Sequence, residues 1–430
     1  MNFSAMMVNV EGGCVVRQAI PVKDAVQLVT GHARPIENET VQLQEAYGHI
    51  LAEPIIAKHD VPPFNRSAYD GFAVRATDTI NAKAGEAVSF HVIGNIGAGE
   101  VGERELKENE AYRIMTGAIL PKGADAIVML EDTTETKQGF SMEKSFQPGQ
   151  NISYQGEDAQ VGDVLIDAGA FIHPGTIALL ATFGYSEVQV AKKPNVSVVS
   201  TGTELLDVAE ELRPGKIRNS NGPMLEAQLQ RLKVPYTSFG MLEDDLDACT
   251  EIVEKALEAS DIVITTGGVS VGDFDYLPEI YKRLGAKVLF NKVMMRPGSV
   301  TTAAVLGNKL LFGLSGNPSA CFTGFELYTR PAILSMMGNT TPYLPQMTAR
   351  LGEDFPKKNP FTRFIRATWK WLDGQIVASP AGFNKSNAVS SIARGNCIIV
   401  LPSETEGYKK GMEVTILLLG QENGVASWKI

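Results

Sequence analysis

The sequence predicts a multidomain protein of the α/β plus β class, built around one mostly parallel sheet covered by helices on both faces. Three observations carry this. The runs VSVVST (196–201) and DIVITT (261–266) read as strands buried on both faces. Helical periodicity alternates with such runs from residue 196 to about 337. On either side of that stretch the alternation gives way to short β-type runs broken by turn residues. A chain of 430 residues also exceeds one core, since domains run to roughly 100–200 residues.

The elements follow in order. Residues 1–18 read as a loose leader. From Pro21 an amphipathic pattern (Ala25, Val26, Leu28, Val29) predicts a short helix with Lys23 and Asp24 in its first turn. Residues 58–162 hold the β-type runs VSFHVI (88–93), YRIMT (112–116) and AIVML (126–130) between VPPFNRS, NIGAGE, LPKGAD and QPGQ, which predicts a β-rich domain. A helix is expected from Pro174, with proline at its first position. The segments 20–57 and 163–195 flank the β-rich domain and are expected to pack together as one discontinuous linker domain.

Within 196–340, a helix capped near Ser220–Asn221 follows the first strand, with Leu225, Leu229 and Leu232 on one face. A strand at 235–239, a helix at about 246–259, the strand 261–266 and a helix near 277–284 come next. KVLF (287–290) and KLLFGL are further strands, and a last helix runs from near Pro318 to about Met337. Residues 341–430 return to β character in RFIRATWKW (363–371), CIIVLP (397–402) and EVTILLL (413–419).

Charge and composition narrow the function. Lys and Arg number 39 against 49 Asp and Glu, a formal net charge of −10. That argues against nucleic-acid or anionic-membrane binding, which rest on a basic surface, but leaves room for a small anion cradled by a few cations and N–H groups. The four cysteines (Cys14, Cys249, Cys321, Cys397) are far apart, and the five histidines lack ligand spacing, so neither a zinc site nor a disulfide scaffold is expected. Reduced cysteines fit the cytoplasm. The N-terminus does not read as a signal peptide, and no apolar run approaches the length of a membrane span.

In a parallel sheet the ligand lies beyond the carboxyl ends of the strands, and three unusual loops follow strands here. STGTELLD (200–207) offers a Gly turn and Glu204, which could equally be a helix cap. TTGGVSVGDFDYLP (265–278) brings Gly267, Gly268, Ser270 and Gly272 to one turn, a set of donors suited to an oxyanion. Asp273 and Asp275 in that turn make sense beside an anion if a divalent cation such as Mg²⁺ lies between; a plain Gly-rich turn capped by Asp275 is the alternative. GLSGNPSA (313–320) contributes Gly316, Asn317 and Pro318 at a helix start. Between the last two, Lys292 and Arg296 could supply cations. In the β-rich domain Asp70, after VPPFNRSAY, and Thr116, in the TG turn of RIMTGAILPKGADAIV, are the residues rigid turns would expose.

Taken in order, SAYDGFAVR, RIMTGAILPKGADAIV, GEDAQVGD, STGTEL, TTGGVSVGDFDY, RPG and GNPSA resemble the motifs of the MoeA-type molybdopterin molybdenumtransferases, the molybdenum insertases that include the gephyrin E domain. The resemblance implies four domains: a discontinuous linker domain (20–57 and 163–195), a β-rich domain (58–162), a molybdopterin-binding α/β domain (196–340) and a C-terminal β-barrel (341–430). It implies a cytoplasmic homodimer that inserts molybdate into adenylylated molybdopterin, releasing AMP, with Mg²⁺ assisting and other molybdenum cofactor pathway proteins as possible partners. Glu204, Asp244 and Asp275 would hold the metal. Asp70 and Thr116 would act from the partner subunit, alongside Glu204 and Asp275. Arg296, Ser299, Arg366 and Ser391 would receive molybdate.

Two departures fall on that oxyanion site. Where the family often reads KPGKP, this chain reads Arg296-Pro297-Gly298-Ser299-Val300, which loses the second charge; where LPGNP is frequent, Ser315 replaces the first proline. The choice between molybdate and tungstate is left open by them. Two rival readings also stand: a molybdopterin adenylyltransferase-like enzyme, since such domains share the GGxSxG loop, and a non-catalytic gephyrin-like scaffold.

Overall fold

The computed structural model describes residues 18–242, 245–267, 276–356, 358 and 360–420. At its centre a six-stranded sheet runs in the order Tyr236–Leu242, Val196–Thr201, Ile262–Thr266, Lys309–Leu314, Thr302–Leu306, Lys287–Phe290. The first four strands are mutually parallel. Thr302–Leu306 alone runs against its neighbours. Both faces are covered, as the continuous apolar runs require. On one, Leu225 and Leu229 of the helix Asn221–Arg231 pack with Val198, Ile264 and Phe312. On the other, Val253, Ala256 and Leu257 of Leu246–Ala259 meet Ile280 and Tyr281 of Leu277–Arg283 over Val199, Val263 and Leu311.

The antiparallel strand is an element the sequence reading did not name. TTAAVLGNKLLFGL folds as a hairpin: Gly307 at φ +59° and Asn308 form the two-residue connection, and Leu306 faces Lys309 across it. The expected last helix is one run with an interruption, Pro318–Gly324, a π turn Phe325–Thr329, then Arg330–Met336. Pro331 has no N–H to continue a regular ladder, and the wider turn lies directly before it.

The flanking units are built by long-range pairing. Asn38–Gln42 pairs with Glu187–Ala191 and Ile55–Ile56 with Val164–Ile166, so two stretches far apart in sequence share the core of Leu51, Ile55, Leu180, Val188 and Val190. The helix Val22–His32, by contrast, buries Ala25 and Val29 in the α/β core. The β-rich unit holds a six-stranded sheet whose centre is Phe72, Phe90 and Phe140, stacked at ring separations of 4.0 and 5.1 Å.

In the C-terminal region, Thr362–Leu372, Gln375–Pro380, Gln346–Leu351, Glu413–Leu418 and Cys397–Leu401 pair in a ring that returns to Thr362–Leu372, a closed five-stranded barrel. Ile365, Ala367, Ile399 and Ile416 fill it. One contact positions the site. The two-residue strand Met295–Arg296 leaves the α/β domain and adds, parallel, to Thr362–Arg363 of the barrel. Among the described residues no helix is long and apolar enough to cross a membrane; Cys249, Cys321 and Cys397 are buried, the last two as free thiols.

Candidate active site

The described parts of the three loops singled out by the sequence meet at the carboxyl ends of the parallel strands. The Gly267 N–H donates to the Leu314 carbonyl at 3.2 Å, and Thr201 Oγ1 donates to the Thr266 carbonyl at 3.5 Å. Gly267 sits at φ +91°, and a Cβ there would lie 2.2 Å from the Thr201 carbonyl oxygen, so only glycine closes this junction. A Cβ built on Gly316 would stand 3.6 Å from Gly267 Cα, so the third loop passes beside the start of the second with room for little more than a methyl group. In the first loop Gly202 takes φ +146° and the Glu204 carboxylate folds back over it, at 2.6 Å from where a Cβ would stand.

The residue that ties these loops together is Asn221. It is only 6% exposed. Its Nδ2 donates to Thr266 Oγ1 at 2.8 Å and to the Gly316 carbonyl at 2.9 Å, while its Oδ1 has no hydrogen-bond partner among the described residues. The sequence marked it only as the start of a helix. Its side chain makes no capping bond and serves the neighbouring loops instead. Asp244, Gly268, Ser270, Gly272, Asp273 and Asp275 lie outside the described residues.

A second feature opens between the α/β domain and the barrel, where Met295–Arg296 crosses over. A cavity of about 570 Å³ is lined there by Arg296, Gly298, Ser299 and Asn317 from one domain and Arg363, Arg366 and Lys385 from the other. The structure thus gathers Arg296, Ser299, Asn317 and Arg366 from among the predicted residues; Lys292 is not on its wall, and its carbonyl accepts from the Ile20 N–H. No Asp or Glu lines the cavity among the described residues.

Arg366 is the unusual member. It is 1% exposed, on an apolar barrel strand. Its partners are neutral: Nε donates to Ser391 Oγ at 3.4 Å, Nη1 to the Phe364 carbonyl at 3.4 Å, Nη2 to the Lys385 carbonyl at 3.2 Å. Burial pulls its pKa down to about 10, so it stays cationic at neutral pH. A buried charge whose partners are all neutral dipoles is disposed to pair with an anion that reaches it. Ser391, fully buried beneath it, orients the guanidinium. Arg363 and Lys385 were not singled out in the sequence, because nothing local distinguishes them from the many solvated cations of the surface.

Asp70 and Thr116 meet on the β-rich unit. The Thr116 N–H and Oγ1 both donate to one Asp70 oxygen, at 2.7 and 2.8 Å, across 46 residues of sequence. These two bonds, the backbone one first, hold the exposed carboxyl below the ordinary Asp range. Gly117, at φ +81°, lets the turn close by donating to the Ser67 carbonyl. Among the described residues, no hydrogen bond, strand pairing or core cluster joins this sheet to the α/β domain of the same chain.

Comparison with known proteins completes the picture. Three family models match in sequence: the MoeA N-terminal region (domains I and II) over residues 20–184, a probable molybdopterin-binding domain over 197–335, and the MoeA C-terminal region (domain IV) over 348–419. The chain is 51% identical over 402 residues to a molybdopterin molybdenumtransferase of Staphylococcus aureus, covering 94% of this chain and 96% of the relative. The same identity and coverage hold for its counterpart in Staphylococcus epidermidis. Among solved structures, the molybdopterin biosynthesis moeA protein of Pyrococcus horikoshii superposes with a TM-score of 0.81 at 31% identity, covering 93% of this chain and all of that one.

Proposed function

The chain belongs to the MoeA family and is an enzyme of molybdenum cofactor biosynthesis, and on that premise we propose that it transfers molybdenum from molybdate to adenylylated molybdopterin, with release of AMP. The observation that carries this reading is the position of Asn317. It belongs to the loop that meets Gly267 at the strand ends, and it also lines the cation-walled cavity. A phosphate cradled at the strand ends would therefore have an oxyanion at its side, with no domain movement needed to bring them together.

Each side chain has a part in this scheme. Arg366 neutralises one charge of molybdate from within the cavity wall, held in place by Ser391, while Arg296 and Ser299 close the open side. The Gly267 turn and Asn221 hold the described ends of the loops that would offer N–H groups to the pterin phosphate. Glu204 stands at the strand ends, with Asp244 and Asp275 as its proposed companions in holding Mg²⁺. When bound, that ion supplies Lewis acidity to the phosphate oxygens. Among the described residues no three acidic, His or Cys side chains cluster as a metal cage; the metal would be held by Glu204, Asp244, Asp275 and the substrate's own oxygens.

Asp70 would complete the site from a second copy of the chain. Its carboxylate is held ionised by Thr116 on an exposed turn.

The test is direct. Protein supplied with adenylylated molybdopterin, molybdate and Mg²⁺ should release AMP and yield a cofactor that activates an apo-molybdoenzyme. Arg366→Ala should cut the molybdate-dependent rate by about 100-fold or more, as loss of a buried charge contact implies. Adenylylation of molybdopterin from ATP by the purified protein would instead support the adenylyltransferase reading, and an Arg366→Ala variant with unaltered molybdate dependence would remove the cavity from the mechanism.

A further inference from the structure

Arg366 owes its orientation to a segment of the barrel region that is itself held from the α/β domain. Of its acceptors, the Phe364 carbonyl lies on its own strand, whereas the Lys385 carbonyl and Ser391 Oγ lie on residues 385–391, which lead into the short helix Ser390–Arg394. The Lys385 carbonyl also accepts from the Ala388 N–H at 3.1 Å. The Ala388 carbonyl in turn accepts from Ser319 Oγ at 2.5 Å, and the Ser319 N–H donates to the Ser386 carbonyl at 3.0 Å. A relay of hydrogen bonds therefore runs from Ser319 through Ala388 and Lys385 to Arg366. Ser319 is fully buried and belongs to the α/β domain, two residues after Asn317 in the helix Pro318–Gly324. One residue of that domain thus grips, with its hydroxyl and its N–H, the segment that sets the guanidinium.

We propose that Ser319 is a positioning residue for the oxyanion, which by clamping residues 385–391 to the α/β domain aims the Arg366 guanidinium at the anion. The inference rests on the reading that an oxyanion meets Arg366. A guanidinium carries five N–H groups in a planar fork. The bonds to Ser391, Phe364 and Lys385 use one on each nitrogen, which leaves one N–H on each terminal nitrogen, the pair that holds an oxyanion as a fork. The three bonds are long, at 3.4, 3.4 and 3.2 Å, so the fork is aimed only as well as its acceptors are fixed. The phosphate side of the site has separate supports. Asn221 holds the Gly316 carbonyl at 2.9 Å, and the Asn317 N–H donates to Ser315 Oγ at 3.2 Å. Loss of the Ser319 hydroxyl therefore loosens the oxyanion side and leaves the strand-end loops in place.

The experiment titrates molybdate, and separately AMP, calorimetrically into the full-length protein, and closes a double-mutant cycle. Ser319→Ala deletes the bond to Ala388 and keeps the N–H bond to Ser386. It should weaken molybdate about fivefold, the net worth of about one hydrogen bond, and change AMP by less than about twofold. Arg366→Lys keeps the charge but has no planar fork to aim, and should weaken molybdate about tenfold. In that background Ser319→Ala should cost less than about twofold more, because the clamp acts through the guanidinium. Ser319→Cys, which fills the same space with a weaker donor, should shift molybdate in the same direction and carries the comparison where the alanine variant does not fold. Unchanged molybdate affinity in the Ser319 variants overturns the proposal. So does an equal loss for molybdate and AMP, or the same fivefold loss in both backgrounds, since each is the mark of general loosening. If Arg366→Lys weakens molybdate while the Ser319 variants do not, the oxyanion still meets Arg366 and only the clamp falls. If the parent binds no molybdate, or Arg366→Lys binds it as the parent does, the oxyanion reading itself falls.

Discussion

Asp70 illustrates how much a single side chain's setting can say. The carboxyl is exposed, yet two donors from Thr116 converge on one of its oxygens and depress its pKa. The group is therefore proton-free in the fold at pH values where the unfolded chain, with an ordinary Asp pKa of about 3.9, has begun to protonate. Its contribution to stability is complete above that value and is lost as pH falls through the depressed one. Thr116→Val removes the hydroxyl but keeps the backbone donor, which is the larger cause of the shift. The Asp70 pKa should rise only part of the way to its ordinary value, as a carboxyl-carbon NMR titration would register. A full return would mean that the hydroxyl does all the work. Sequence alone marked both residues as exposed by rigid turns, but not their bond. Turn chemistry is local, whereas the register of Gly71 against Ile114 that brings the turns together is not.

At the scale of elements, the parallel sheet was legible because burial on both faces leaves a plain signature, continuous apolar strands separated by amphipathic helices. What escaped was whatever depended on pairing across distance. The hairpin strand Thr302–Leu306 was passed over although Gly307-Asn308 is a recognisable two-residue connection. Two barrel strands, Gln346–Leu351 and Gln375–Pro380, carry too few large apolar residues to stand out. Arg363 could not have been found at all, since its place in the cavity comes from the addition of Met295–Arg296 to the barrel edge. The loop junctions are stricter than the strands they follow. At Gly267 a Cβ would press on a backbone oxygen of the neighbouring strand end and the φ is positive. Neither the sheet nor the loop can yield without losing the Gly267–Leu314 bond. Gly267→Ala should cost about 2–3 kcal/mol in chemical denaturation and weaken phosphate-ligand binding as well. A variant of parental stability would show that the junction has slack the geometry does not suggest.

At the scale of the whole molecule, the two halves of the proposed chemistry sit on bodies that share no hydrogen bond or strand pairing within one chain among the described residues. Asp70 crowns the β-rich sheet, whereas Arg366 and the Gly267 turn belong to the barrel and the α/β domain. A second copy resolves this separation if a two-fold axis brings the sheet of one protomer to the strand ends of the other. The consequence can be measured with tagged hybrids of Asp70→Ala and Arg366→Ala subunits, each homodimer being inactive. In a shared site, one half of the hybrid collects both lesions and the other collects none. The isolated hybrid should then release AMP at about half the parental rate per dimer, and an unfractionated equal mixture at about a quarter. If each site were built within one chain, both sites of the hybrid would carry one lesion and the hybrid would be as inactive as its parents. Because neither substitution needs to change affinity between subunits for this arithmetic to hold, the yield of tagged hybrid provides the control: full assembly without activity would place Asp70 and Arg366 in the same subunit's site, and recovered activity would fix the path of the chain around the two-fold axis.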